Sequence, residues 1–513
     1  MLAKVDTVAF SGIDVQRVEA QLHLATGGLP AFNIVGMANK SVSESKERIR
    51  AAFASIGIGF PAKRITVNLA PANLMKDGSH FDLGIAIALL VAMDVIKTDL
   101  HKEYIVVGEL ALNGTISRVN GVLPAAIKAK ELNLGVICPY ENAYEASLSG
   151  NSNVLAPSNL IEIINHLTHK MQLPQVEFSS FQDSGDENYS YDLSEVKGQE
   201  LAKKALEIAA AGGHNLLMMG PPGAGKSMLA KRINSILPPL TREEQLQVSI
   251  IASITGMLNT EKGLIQRRPF RDPHSSSSMP AIVGGGKDGK PGEVTLAHNG
   301  VLFLDELPEF SRPVLESLRQ PLETKNITIA RVNSHITYPA NFQLIAAMNP
   351  CRCGYFNDNT NLKCRKAPIC AEDYQKRISG PLLDRFDMHI NVSSVNPSEI
   401  GVITSLNSEV KTETSAEVLK RVIQAREIQT KRCEKLNINR VVNAQLEGNI
   451  LREVVNLDES AQKLLHAAVE RFNISMRGIN RVLRVARTIG DLQNIDKCNS
   501  LIIAEALSYR WTN

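Results

Sequence analysis

Leu216-Leu-Met-Met-Gly220-Pro221-Pro222-Gly223-Ala224-Gly225-Lys226-Ser227 is the stretch whose reading decides the fold. Four consecutive apolar residues mark a strand buried on both faces, and they run straight into a glycine-rich turn. The turn matches G-x-x-x-x-G-K-[ST], and Met228, Leu229 and Ile233 continue behind it with helical spacing. Strand, loop and helix in that order make a phosphate loop. Its glycines let backbone N–H groups curl around phosphate oxygens, and the helix N-terminus adds its positive end. Residues 220–227 are therefore the expected ATP-binding set, with Lys226 reaching the β- and γ-phosphates and Ser227 ligating Mg²⁺.

Val301-Leu-Phe-Leu-Asp305-Glu306 supplies a second buried strand, with two carboxylates at its C-terminal end. Open α/β sheets bind ligands at that edge. Asp305 is expected to hold Mg²⁺ through water, and Glu306 to polarise the attacking water. Together the two motifs specify ATP hydrolysis rather than nucleotide binding alone. A third apolar run, Gln343 to Ala347, leads through Met348 to Asn349-Pro350. Asn349 can align water against the γ-phosphate, although an Asn-Pro turn has the same sequence. Strands separated by helical segments predict a parallel α/β sheet. The helix before the first strand, Gln199 to Ala211, carries Leu201, Ala205, Leu206 and Ala209 on one face.

The interval between Lys226 and Asp305 is long, and its stretch 275–300 is rich in Gly, Ser and Pro. Lys287 and Lys290 sit beside glycines in that stretch, as on a projecting loop tip. Two readings stand: a DNA-contacting or pore loop, and a surface loop with solvated lysines. Further on, Asp384-Arg385-Phe386-Asp387 sets a cation between acids. Arg385 reads either as a local ion pair or as an arginine inserted into a neighbouring subunit's ATP site. Ser475 caps a helix whose apolar stripe is Ile479, Val482, Leu483, Ala486 and Ile489. Arg477, Arg481, Arg484 and Arg487 share its other face, a pattern usually meaning a solvated basic surface. Near an ATP site the first of them, Arg477, could contact phosphate.

Cys351, Cys353, Cys364 and Cys370 cluster in C-x-C-x10-C-x5-C spacing. In a reducing compartment such thiols form a structural Zn²⁺ knuckle or remain free, and four cysteines would leave no open position for catalytic zinc.

Composition bounds the rest. The 513 residues suggest about three domains. With 56 Lys+Arg against 53 Asp+Glu, bulk charge gives little steering toward DNA, so any nucleic-acid contact must be a local patch. One Trp and 5% aromatics argue against a base-stacking groove as the main device. Seven cysteines are too few and too unevenly placed for a secreted disulfide framework. The N-terminus lacks a signal-peptide h-region, and Leu83 to Met93, the longest apolar run, is too short for a membrane span. The expectation is a cytoplasmic protein with no membrane partner.

Before the phosphate loop, Lys63–Leu69 and Ile105–Leu112 read as strands, and Ser41–Phe53 and Leu123–Leu132 as helices. Residues 171–190 are polar, acidic and Ser-rich, as in a linker. From about residue 410 the chain reads as helix.

The motif order resembles the AAA+ ATPase module: phosphate loop, acidic strand end, Asn349, Arg385, Arg477. That likeness implies the roles of Walker A, Walker B, sensor 1, arginine finger and sensor 2. Asp192-Leu-Ser-Glu-Val-Lys-Gly-Gln199, Ala209-Ala-Ala-Gly-Gly-His-Asn215, Arg271-Asp-Pro-His274 and Gly292 to Phe310 resemble the magnesium-chelatase-like branch. Its helix-2 insert accounts for the long 226–305 interval. Within that branch nearly the whole chain is similar to the ComM (YifB) family, though His274-Ser275 stands where that family often has two His. The resemblance implies a homohexameric, ATP- and Mg²⁺-dependent helicase driving branch migration in natural transformation, on single- and double-stranded DNA including branched junctions.

The N-terminal part resembles the Lon-protease-like domain. Asp82 falls where the nucleophile belongs, and Gly121 to Ala126 offers no lysine. The implied domain is thus proteolytically inactive, because a carboxylate cannot replace an activated Ser. The expected fold is α/β and α+β multidomain. Residues 1–170 form the Lon-protease-like α+β domain, 171–190 a linker, 191–400 an AAA+ parallel core with a possible zinc loop at 351–370, and 401–513 an all-α lid. Two rivals remain: a metal-chelatase-type motor remodelling a protein partner, and an ATP-dependent protease. The N-terminal domain disfavours the first and the missing dyad the second.

Overall fold

A computed structural model of the chain describes residues 2–25, 27, 29–176, 191–259, 263–286, 289–330, 335–356, 364–393, 412–439 and 441–510. The described part of the expected linker therefore ends at residue 176. The chain packs as two units, Met1–Asp186 with Arg242–Gln266, and Glu187–Thr241 with Arg267–Asn513.

The first unit is built on a seven-stranded mixed sheet. Leu2–Ser11 and Asp14–Ala25 pair antiparallel in full register, and Arg64–Ala70 adds to the second of them. Strand Ala31–Val35 lies parallel at one end, and three short parallel strands, Tyr104–Val106, Gly135–Ile137 and Val154–Leu155, extend the other. Strand Arg64–Ala70 alternates between buried and less buried positions, as a half-covered sheet requires. The expected strand over 105–112 is divided. Tyr104–Val106 enters the sheet, whereas Glu109–Leu110 pairs with Ile116–Ser117 in a separate ribbon. Gly108 marks the break, since a Cβ there would meet Ile116 and Leu83 at 3.0 and 3.1 Å.

Helix Asp82–Ala92 is apolar all round and buried at every position but Val91, so it forms the core of this unit. Asp82, at its first turn, receives Arg48 Nε at 2.6 Å and Nη2 at 3.0 Å, a bidentate pair. Helix Arg242–Ile254, from much later in the chain, also belongs to this unit. Ala252, with Leu258 and Leu264 beyond the helix, packs with Leu123 and Leu148. Ser253 Oγ donates to Glu145 at 2.5 Å, and its carbonyl accepts Gly121 N–H at 3.1 Å.

The second unit holds a five-stranded, wholly parallel sheet in the order Phe270–Arg271, Val301–Leu304, Gln343–Met348, Leu216–Met219, Met388–Asn391. Its first strand in the sequence lies between the third and fourth in space of the strands that follow it. The loop after Leu216–Met219 therefore opens inside the sheet, where strand order reverses, rather than at its margin. The preceding helix, Glu200–Gly212, buries Ala202, Ala205, Leu206 and Ala209, but Leu201 points outward at 76% exposure. The apolar stripe thus runs through Ala202 rather than Leu201.

Past residue 414 the described chain is largely helical, with helices Ser415–Lys435, Gly448–Val454, Glu459–Phe472, Met476–Leu492 and Ser500–Ser508. Ser475 caps Met476–Leu492 by accepting Gly478 N–H at 3.2 Å. That helix is joined to the sheet side by a buried polar network. His214 Nε2 lies 2.7 Å from Thr488 Oγ1, and Asn443 Nδ2 donates to Thr488 Oγ1 at 3.1 Å and Asp491 Oδ2 at 2.7 Å. Asp491 pairs with Arg487 at 3.1 Å and also contacts Arg432. The arginine stripe is consequently no uniform solvated face. Arg481 and Arg487 are only 7% and 2% exposed, since their guanidiniums are consumed by internal acceptors. No helix among the described residues is long and apolar enough to cross a membrane.

Candidate ATP site and cysteine cluster

The phosphate loop begins at Gly220, whose N–H donates to Met348 O at 3.2 Å and ties it to the neighbouring strand. Gly223 and Gly225 take φ of +78° and +85°, which side chains resist, and helix Lys226–Arg232 starts there. Lys226 is buried. Its Nζ donates to Gly220 O at 2.8 Å, Pro221 O at 2.9 Å and Asn349 Oδ1 at 3.1 Å. An ammonium has three protons, and three acceptors surround it. Burial lowers its pKa, and the charges of Asp305 and Glu306 oppose that shift.

Ser227 Oγ donates to Asp305 Oδ2 at 2.5 Å, while Asp305 Oδ1 accepts Glu306 N–H at 2.9 Å. These hard oxygen donors suit Mg²⁺. Glu306 is exposed and adopts φ +51°, a conformation costing a non-glycine residue about 1 kcal/mol or more and concentrated at functional sites. The structure thus brings Lys226, Ser227, Asp305, Glu306 and Asn349 to one sheet edge.

Arg385 and Arg477 lie near one another. Arg385 contacts Glu323 through its guanidinium and is 12% exposed, with Nε buried and without a partner. Burial, then the nearby charges of Arg477 and Arg319, lower its pKa. The proximity follows from helix docking, because Arg481, one turn beyond Arg477, donates from Nη1 to Phe386 O at 2.9 Å. Arg477 itself is exposed.

Lys290 is exposed on a short hairpin, Gly284–Gly285 against Lys290–Pro291, anchored by Tyr338 OH donating to Gly289 O at 2.8 Å. Lys287 lies outside the described residues. The four sulfurs of Cys351, Cys353, Cys364 and Cys370 lie within 4.8 Å of one another, and those of Cys351 and Cys353 are 3.2 Å apart.

Three family models cover most of the chain. Residues 192–400 match magnesium chelatase, subunit ChlI, residues 18–142 match subunit ChlI of Mg-chelatase, and 412–510 match the subunit ChlI C-terminal model. The chain is 42% identical to competence protein ComM of Haemophilus influenzae, over 99% of this chain and 97% of that one. It belongs to the ComM/YifB family of magnesium-chelatase-like proteins. The YifB protein of Escherichia coli is 41% identical over the same shares. Likeness to the magnesium-chelatase 67 kDa subunit of Heliobacterium mobile is partial, 25% identity over 31% of this chain and 28% of that protein.

Two residues near these ComM/YifB-type sites escaped the motif reading. Asp272 follows strand Phe270–Arg271, which pairs with Val301–Leu302, and so comes beside Asp305. Burial and then that neighbouring carboxylate raise its pKa, with Lys231 Nζ 4.0 Å away. Its only sequence signal is the Arg271-Asp-Pro-His274 stretch. Arg319, on helix Arg319–Thr324, joins Arg385 and Arg477 with no motif to announce it.

Proposed function

We propose that this chain is an ATP-hydrolysing motor that assembles as a homohexamer and drives DNA branch migration. Its substrates in this reading are single- and double-stranded DNA, including branched junctions, during homologous recombination in natural transformation in the cytoplasm. The ATPase part rests on one observation: Lys226, Ser227, Asp305 and Asn349 meet through direct hydrogen bonds at the edge where an α/β sheet binds its ligand. The DNA part is supported by the name of the competence protein to which the chain is 42% identical over its length.

In this reading the glycine loop and Lys226 hold the phosphates, and Ser227 and Asp305 hold Mg²⁺. Bound Mg²⁺ supplies charge neutralisation at the phosphates. Glu306 polarises the attacking water, and Asn349 fixes its position. Lys226 and Asn349 are already paired, so the lysine is pre-positioned and exchanges protein acceptors for phosphate oxygens. Arg385 completes a neighbour's site and stabilises charge in hydrolysis, and Arg477, near it, contacts phosphate. Lys290 and Lys287 contact DNA phosphates, and several copies in a ring would make one strong site from weak ones.

Cys351, Cys353, Cys364 and Cys370 hold structural Zn²⁺. A tetrahedral thiolate site with Zn–S near 2.3 Å needs sulfurs about 3.8 Å apart, which a cluster confined to 4.8 Å can satisfy.

The deciding measurement is ATP turnover with no DNA, with single-stranded DNA and with a branched junction. Stimulation by DNA supports the proposal. Turnover indifferent to DNA would favour the rival, a metal-chelatase-type motor that remodels a protein partner, for which the partial likeness to the chelatase subunit speaks.

A further inference from the structure

Gly354 follows Cys353 directly and has φ +88°. Its N–H donates to Cys351 O at 2.9 Å, closing a turn around the first two thiols. A Cβ on Gly354 would lie 2.5 Å from Pro222 Cδ and 2.6 Å from Cγ. The knuckle backbone therefore rests on the phosphate loop itself, at a distance only glycine permits. The other half of the cluster is tied to the same place. Cys370 lies on helix Ile369–Gln375, whose last residue donates from Nε2 to Pro350 O at 2.9 Å. Pro350 follows Asn349, the residue that receives Lys226. A cross-link among the four sulfurs would thus fix one body that touches the loop at Pro222 and continues into Asn349.

We propose that the four-thiolate centre is the positioning element of the ATP site, with Gly354 as the stop against which Pro222 is set. The inference rests on the reading above of an ATP site and a zinc centre. Loop N–H groups bind phosphate only while the loop keeps its curl, and Pro222 lies in the middle of it. Anything that shifts the knuckle shifts those donors. Without metal the two halves, Cys351-Arg-Cys353-Gly354 and the segment carrying Cys364 and Cys370, lose the cross-link between their sulfurs. They keep the weaker hydrogen bonds from Cys364 N–H to Tyr355 O and from Gln375 Nε2 to Pro350 O. The added methyl of Gly354→Ala acts on the same contact with all four thiols in place.

The test uses the full chain. ATP affinity and the KM for ATP are measured on the zinc-loaded protein, on protein stripped of zinc by a chelator with a thiol-displacing reagent, and after zinc is returned. Stripping is expected to weaken ATP binding about tenfold or more, reversed by zinc, with the helical circular-dichroism signal retained. Gly354→Ala is expected to keep one zinc per chain and raise the KM about tenfold. A merely destabilised protein would lose active molecules, lowering kcat at unchanged KM. Gly354→Ala combined with Pro222→Ala removes the clash while leaving the strain of Ala at φ +88°, and should recover part of the affinity. Unchanged ATP affinity in both the stripped protein and Gly354→Ala would overturn the positioning role while leaving the ATP site intact. Failure of the unmodified chain to bind ATP, or to carry zinc, would instead overturn the reading beneath it.

Discussion

Ser227 Oγ and Asp305 Oδ2 lie 2.5 Å apart, joining the first turn after the phosphate loop to the end of a strand 78 residues later. The contact places a hydroxyl and a carboxylate where a divalent cation can take both. Glu306, the next residue, is exposed and held in a left-handed turn, free of the pairing that occupies Asp305. Glu306→Gln should therefore retain ATP binding and lose turnover by about a hundredfold or more, as expected for removal of a general base. Lys226→Ala should lose binding and turnover together. Nucleotide titration alongside phosphate release separates the two, and wild-type turnover in Glu306→Gln would refute the assignment.

Arg385 lies near Arg477 and Arg319, and as the arginine finger of the proposed hexamer it is predicted to act between subunits. Lys226→Ala and Arg385→Ala proteins should each be inactive alone. Mixed, Lys226→Ala subunits still bring Arg385 to the intact ATP sites of Arg385→Ala neighbours, so part of the activity should return. Trans arginines are worth on the order of a thousandfold in rate, so even partial recovery is measurable. Silence of a mixture shown to co-assemble would place Arg385 in its own subunit or in a local pair with Glu323.

Metal analysis should find about one zinc per chain, and Cys351→Ser should lower it sharply, since it removes the buried one of four thiolates. Zinc-free protein of undiminished thermal stability would leave four free thiols and no centre.

Asp491 is fully buried between Arg487, Arg432 and Asn443. Asp491→Asn keeps the shape and leaves two guanidiniums facing each other without their anion. A broken buried pair costs about 3–5 kcal/mol, so calorimetry should show the corresponding transition lowered by about 10 °C.

His80 is buried between Phe10 and Phe81, with Nε2 2.9 Å from Val8 O, and burial pushes its pKa down to about 4. The unfolded chain binds this proton at ordinary histidine pH and the folded chain does not. Stability from His80 is therefore full above pH 6.5 and is lost as pH falls toward 4. Between pH 7 and pH 5 the loss amounts to about 2 kcal/mol. The Tm of wild type should drop more over that interval than the Tm of His80→Phe, and equal drops would remove the residue from the account.

Much of the ATP edge was legible because loop, strand and carboxylates are each announced by local pattern, and apolar runs report a buried parallel sheet without reference to anything distant. What pattern does not report is the partner. Arg481 and Arg487 share a spacing that looks solvated, yet Phe386 O and Asp387 wait on other elements to receive Arg481, and Ile495 O and Asp496 O wait beyond the helix end to receive Arg487. Leu201 fits the apolar spacing of its helix and still faces outward, because the stripe is wide enough for two phases to compete. Asp272 and Arg319 acquire their surroundings only when strands and helices distant in sequence are brought together.

Helix Arg242–Ile254 makes one structure out of two separated stretches of chain. A nick anywhere in 177–190 would cut the polypeptide without freeing what precedes it, because Ser253, Ala252, Leu258 and Leu264 still hold Gly121, Leu123, Glu145 and Leu148. The fragments should travel together through a sizing column until a denaturant parts them. A shortened protein starting at residue 191 would instead carry that helix with its apolar side bare to water, an invitation to aggregate. Inheritance, too, is constrained: exchanging the amino-terminal segment as a cassette would leave part of its interior behind, written into the sequence that follows.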